Sequence, residues 1–220
     1  MEISFMEFLG YYQGIILKEL LRHLEIVIIS IPAALIISIP LGFFISSRPQ
    51  LAKFIIYITS ILMTIPSLAL FGFMVILLAP FNLGLGMVPA IIAIALYSLL
   101  PITRNTYIAL NQVPQGMIEA AKGMGMSGKQ ILWKIKIPLS IPVIMAGIRN
   151  AIVLGVSVAT FASLVAAGGL GYFIFAGISR SNLRMVLAGA ILVSILGISV
   201  NYFLLVVENW ITPKGLKIKR

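Results

Sequence analysis

The sequence predicts an all-α integral membrane protein with about five transmembrane helices, N-terminus outside and C-terminus in the cytoplasm. Three observations predict it. Of the 220 residues, 60% are hydrophobic and only 10% charged, against roughly 25% charged in an average soluble domain. Uncharged stretches recur at the length a bilayer core demands, about 20 residues per helix. Lysine and arginine gather between those stretches, mostly on one side, as the positive-inside rule requires.

The elements follow in order. Segment 1–22 carries Glu2 and Glu7 and no early Lys or Arg, the wrong charge for a signal peptide's n-region. Leu9, Ile16, Leu17, Leu20 and Leu21 share one side of a helix, read as an outer interfacial helix leading into the first span. His23, beside Arg22 and Glu25, reads as a solvated interfacial residue. The transmembrane domain is 23–212. Ile26 to Ser47 is uncharged, giving a first span at 26–47. No charge falls from Phe54 to Thr103, long enough for two crossings at 55–79 and 88–109. The turn residues of 80–89 divide them. Further uncharged runs give spans at 139–166 and 186–208. Gly168, Gly169 and Gly171 make an outer turn between them, and 213–220 is a basic cytoplasmic tail.

Charge orients these spans. Arg48 and Lys53 follow the first. Arg104, Lys122, Lys129, Lys134 and Lys136 lie at or after the end of the third. Lys214, Lys217, Lys219 and Arg220 follow the fifth. Arg180 and Arg184 fall outside and are outnumbered. The loop 113–138 is therefore cytoplasmic. Because the charges sit where topology needs them, the net charge of +10 does not point to nucleic acid.

That loop is a polar, basic interruption in a lipophilic chain. Val113-Pro114 ends the third span, since the residue before proline is pushed out of helical geometry. Pro114 opens a helix to about Met124, with Met117, Ala121 and Met124 on one face. Gly123 and Gly125 break it. Ser127 and Gln130 fit a capping box, and a second short helix stops at Pro138. Two short helices with an apolar-and-small face and a basic rim suit docking of a soluble partner. The run Gly123 to Lys129 also matches GxxxxGK, but Gln130 stands where a P-loop needs Ser or Thr, and no strand precedes it. Nucleotide binding by this chain is not expected.

The loop resembles the EAA motif of ABC importer permeases. Glu119-Ala120-Ala121, then Gly125, then Ile135-Lys136-Ile137-Pro138 reproduce its residues and spacing, with Ile137 in place of leucine. In that family the loop is the coupling helix that inserts into a groove on the ATPase subunit. The resemblance implies that Glu119, Ala120, Ala121, Gly125, Ile135 and Pro138 serve ATPase coupling. It covers most of the chain. Thr64 to Leu70, Leu100 to Tyr107, Leu139 to Arg149 and residues 168–171 look like the osmoprotectant branch, which imports glycine betaine, choline and carnitine. Ala166 stands where relatives often have glycine, and Tyr172 where many carry an acidic or polar residue.

The resemblance implies a type I ABC importer permease fold and a multi-pass place in a prokaryotic cytoplasmic membrane. It implies a second permease copy or paralogue, ATP-binding-cassette subunits and an extracytoplasmic substrate-binding protein. ATP and Mg are expected on the ATPase, with no cofactor on this chain. An amino acid or other small zwitterion is the alternative substrate, and a stand-alone secondary transporter the alternative class.

Arg149 inside the fourth span is costly in lipid, and Glu208 is its expected partner at the inner mouth. Pro66 frees a carbonyl within the second span and, with Ser67, either lines a pathway or forms a packing kink. Thr160, Ser163 and Asn201 are further polar candidates for the path. Asn201 closes a stripe of Ala190, Ser194 and Gly197, which reads first as helix packing. With no cysteine and one histidine, disulfides and clustered metal sites are excluded. No paired carboxylates offer acid–base catalysis. No acidic residue lies between Glu25 and Glu119 or between Glu119 and Glu208, which argues against a proton-coupled carrier.

Overall fold

Long uncharged runs in lipid leave the backbone no water to bond, so each must satisfy its own N–H and C=O groups as a helix. The computed structural model describes residues 4–212, which contain no strand; the expected basic tail at 213–220 lies outside them. The helices are α1 (Phe5–Tyr11), α2 (Gln13–Ser46), α3 (Pro49–Thr64), α4 (Ser67–Leu78) and α5 (Met87–Asn111). They continue as α6 (Gln115–Gly123), α7 (Gly128–Ile131), α8 (Ile137–Val158), α9 (Gly171–Ser179) and α10 (Leu183–Ile211). The helices α2, α5 and α10 and the continuous stretch Gly128–Val165 are long and apolar enough to cross a membrane. The bent pair α3–α4 makes a fifth span if it crosses as one.

The first span begins earlier than the charge pattern suggests. The 34 residues of α2 make a rod of roughly 50 Å, and residues 13–22 are its first turns rather than a separate interfacial helix. Only α1 stands apart. The Ser4 hydroxyl accepts the Glu7 N–H at 3.2 Å and the Glu7 carboxylate accepts the Ser4 N–H at 2.6 Å. The Ser4 N–H, and after it the Ser4 side chain, favour the ionised form and hold Glu7 below the usual carboxylate range. Phe8 of α1 packs with Phe173 of α9 and Met185 of α10.

The expected second span is broken. Pro66 forces Ile65 into extended geometry (φ −64°, ψ 127°), and α3 and α4 meet at 97°. The carbonyl of Ile65 accepts the Tyr97 hydroxyl of α5, so a donor from a neighbouring helix satisfies the break.

Helix α5 is the centre, with its most extensive contacts to α2 and α8. The core joins Ile26 and Ile31 of α2, Phe71 and Met74 of α4, Ala93 and Ile94 of α5, and Val156 of α8. Small residues close the crossings, as lipid-embedded helices require. A Cβ on Gly42 would lie 2.6 Å from Thr106, and one on Gly147 would lie 2.5 Å from Asn105 and 2.9 Å from the Pro101 carbonyl.

The second loop helix does not stop at Pro138. A π turn over Leu132–Lys136 carries it into α8, with the Ile137 N–H bonded to the Leu132 carbonyl. Pro138 then falls in the first turn of α8, where a missing N–H costs little.

Candidate functional site

Three places gather the polar side chains. The first is the loop between α5 and α8. Pro114, extended at φ −55° and ψ 130°, is the N-cap of α6. Val113, Ile118, Ala121 and Ile131 form a small buried core of their own, with Met126, Ile135 and Leu139 against it. Ala121 is fully buried there, while Met117 and Met124 are exposed. Glu119 and Ala120 are exposed beside the two methionines. The chain turns at Gly125, whose φ of +79° favours glycine. Ser127 and Gln130 form the expected capping box, the hydroxyl accepting the Gln130 N–H at 3.3 Å and the Gln130 side-chain oxygen accepting the Ser127 N–H at 2.8 Å. Ile135 lies in the π turn and Pro138 beyond it, both half-buried. The result is a fixed knuckle with an exposed, flexible-sided methionine face.

The second place is at the far end of the molecule, where α2 meets residues 168–171. Glu19 and His23 are one helical turn apart. The Glu19 carboxylate accepts the Gly169 N–H at 2.7 Å and His23 Nδ1 accepts the Leu170 N–H at 3.2 Å. His23 Nε2 lies 3.0 Å from the Val156 carbonyl. An accepting Nδ1 leaves the proton on Nε2, which donates to that carbonyl. His23 is fully buried and not the solvated residue its charged neighbours suggest. Gly168 and Gly169 have φ of +82° and +98°, and a Cβ on Gly171 would strike the Thr160 carbonyl at 1.8 Å. This turn is therefore pinned rather than loose. Tyr172 packs edge-on to Phe173 at 5.5 Å.

The third place is within the helices at the loop end. Arg149 Nη1 of α8 lies 3.1 Å from Glu208 Oε2 of α10, and each side chain is about a fifth exposed. Asn201 lies in a cavity of about 730 Å³ with Arg104, Asn105 and Asn150. The hydroxyls of Thr160 and Ser163 are held by the carbonyls of Ser157 and Thr160. Pro66 is exposed and Ser67 half-buried at the α3–α4 break, apart from the other polar groups. Among the described residues, Arg149 and Glu208 are the two path candidates far apart in sequence whose side chains meet.

The sequence profile described as "Binding-protein-dependent transport system inner membrane component" matches residues 34–213. The chain belongs to this family. It is a transport permease component of the inner membrane, and membership implies ATPase and substrate-binding-protein partners. Among its relatives is the osmoprotectant import permease protein OsmW of Salmonella typhimurium, 42% identical over 89% of this chain and 91% of that one. The glycine betaine/carnitine/choline transport system permease protein OpuCB of Bacillus subtilis is 40% identical over 96% and 95%. The permease fold is that of an inward-facing MetNI methionine ABC transporter chain, with a TM-score of 0.81 at 21% identity over 92% of this chain and 98% of that one.

Sequence reasoning missed two features of the permease. His23 looked like a surface residue because Arg22 and Glu25 flank it, although its Glu19 neighbour at i−4 marks one helix face. Arg104 looked like a charge at the end of the third span. It sits inside α5, which continues to Asn111, and the asparagine beside it was the available signal.

Proposed function

We propose that this chain forms the translocation pathway of an ATP-binding-cassette importer for quaternary amine osmoprotectants such as glycine betaine, choline or carnitine. The observation that carries this reading is a group of relatives, 37–42% identical over about nine-tenths of the chain, whose names specify osmoprotectant import or the transport of glycine betaine, carnitine or choline. Two permease copies, or this one and a paralogue, line the pathway between them. The loop end faces the cytoplasm and the turn at 168–171 faces outward, toward the binding protein.

On this reading the knuckle of α6 and α7 is the ATPase seat. Methionine is unbranched and adaptable, which suits a docking surface. Glu119, Ala120, Ala121, Gly125, Ile135 and Pro138 shape it, and Glu119, Ala120 and Gly125 are exposed, as Met117 and Met124 are. ATP and Mg stay on the ATPase, and this chain binds no cofactor and catalyses no reaction.

Uptake by the importer reconstituted with its ATPase and binding protein tests the substrate. Betaine, choline or carnitine should accumulate with ATP, and amino acids should not compete. Transport of an amino acid instead would replace this reading with the zwitterion alternative. Met124→Glu should abolish co-purification of the ATPase while leaving the permease's melting temperature unchanged. Retained association with retained transport would remove the docking assignment.

A further inference from the structure

The side cavity between α3, α5, α8 and α10 is lined by Arg104, Asn105, Asn150 and Asn201, with Met63 and Val153 among its apolar walls. Arg104 lies seven residues before the end of α5, roughly 10 Å along its axis. It is exposed. Among the described residues Arg149 pairs with Glu208, and Arg48 lies over the Phe44 ring at 3.8 Å. Arg104 has no such partner. Asn150 and Asn201 also make no side-chain hydrogen bond among the described residues. Asn105 gives one N–H to the Pro101 carbonyl at 2.7 Å and keeps its other polar valences.

A guanidinium with three carboxamides is a donor-rich set. No carboxylate and no aromatic ring lines the cavity. Such a site has nothing to attract a quaternary ammonium, which needs an acid or a π-face. It has what a carboxylate needs, a planar fork of N–H donors that bonds both oxygens. An unpaired arginine at this depth is expensive unless it faces water or a ligand.

We propose that Arg104, Asn105, Asn150 and Asn201 form a subsite for the carboxylate of a zwitterionic solute. The proposal rests on the osmoprotectant reading above and narrows it. The preferred cargo carries a carboxylate as well as a methylated ammonium, as glycine betaine and carnitine do and choline does not. The apolar wall of Met63 and Val153 accommodates the methyl groups.

The natural chain has no cysteine, so a single introduced thiol reports on the cavity. In the full importer, Leu154→Cys, on the cavity wall but outside the polar set, should react with a water-soluble methanethiosulfonate reagent. Saturating glycine betaine should slow that reaction, and choline at the same concentration should not. Adding Arg104→Gln should remove the protection and raise the betaine KM by roughly ten-fold, with partial recovery in Arg104→Lys. Equal protection by choline, or none by betaine, overturns the subsite. So does protection that follows the phosphatidylglycerol content of the vesicles, which would assign the arginine to a lipid phosphate. An importer that moves amino acids but neither betaine nor carnitine overturns the substrate reading itself. An active betaine importer indifferent to Arg104→Gln overturns only this proposal.

Discussion

The imidazole of His23 and the backbone of Leu170, 147 positions apart in sequence, are joined by a hydrogen bond of 3.2 Å in which the amide donates to Nδ1. The same ring reaches the Val156 carbonyl at 3.0 Å. One side chain therefore ties α2 to both α8 and the turn leading into α9. Glu19 adds a second tie to the same turn, through the Gly169 N–H.

Replacing His23 by leucine should destabilise the protein markedly. It keeps an apolar volume but strands the Leu170 N–H and removes the donor facing Val156. A buried polar group left without a partner costs about 1–3 kcal/mol. His23→Gln should fall between, since one amide can restore part of the pattern. Melting temperatures in detergent, followed by loss of monodisperse protein on heating, check the order. A leucine variant that melts with the wild type would show the ties to be incidental.

Ala166 predicts a change in the other direction. It sits at φ 62°, ψ 20°, a left-handed conformation that costs an L-residue roughly 1–2 kcal/mol. Glycine removes that strain, although it adds freedom to the unfolded chain. Ala166→Gly should raise the melting temperature modestly. An unchanged or lower value would mean that the alanine methyl makes a compensating contact.

The spans and the loop were legible because both follow from local rules. Uncharged runs place α2, α5, α8 and α10, and the Ser127–Gln130 spacing announces a helix start. What escaped the sequence was decided by partners far along the chain. Nothing near Pro66 says that Tyr97 will accept the job of bonding the Ile65 carbonyl, so a break reads only as a kink. Nothing near His23 says that Leu170 and Val156 will surround it. Pro138 misled because the rule that proline ends helices holds for i→i+4 ladders, and the π turn before it changes the ladder. The sequence does point Arg149 to Glu208, because the chain has only six acids and the choice is nearly forced.

Two glycines separate packing from propensity. Gly147 abuts the Pro101 carbonyl and Asn105, whereas a Cβ on Gly72 of α4 would meet nothing within 4 Å. Gly147→Ala should push α8 off α5, with an overpacking cost of about 1–3 kcal/mol. Gly72→Ala should be neutral or stabilising by up to about 1 kcal/mol, since alanine is the better helix former. Thermal melts of the two variants decide it. Equal behaviour would show that the α5–α8 crossing adapts without strain.

The Arg149–Glu208 contact predicts a charge-order experiment. The two groups sit 3.1 Å apart, yet Glu208 Oε2 has no well-aligned hydrogen bond, so the tie is mainly electrostatic. Removing one partner of a deeply buried pair costs about 3–5 kcal/mol. With a fifth of each side chain exposed, screening should reduce that to about 1–3 kcal/mol for Arg149→Met or Glu208→Gln. The reversed pair, Arg149→Glu with Glu208→Arg, should recover at least half of the loss seen in either reversed single variant, because opposite charges again face each other. Yield of folded protein and melting temperature give the stability, and uptake by the assembled importer gives the function. If the reversed pair is no better than the singles in both, the two residues act separately. In that case Arg149 is held by something other than α10.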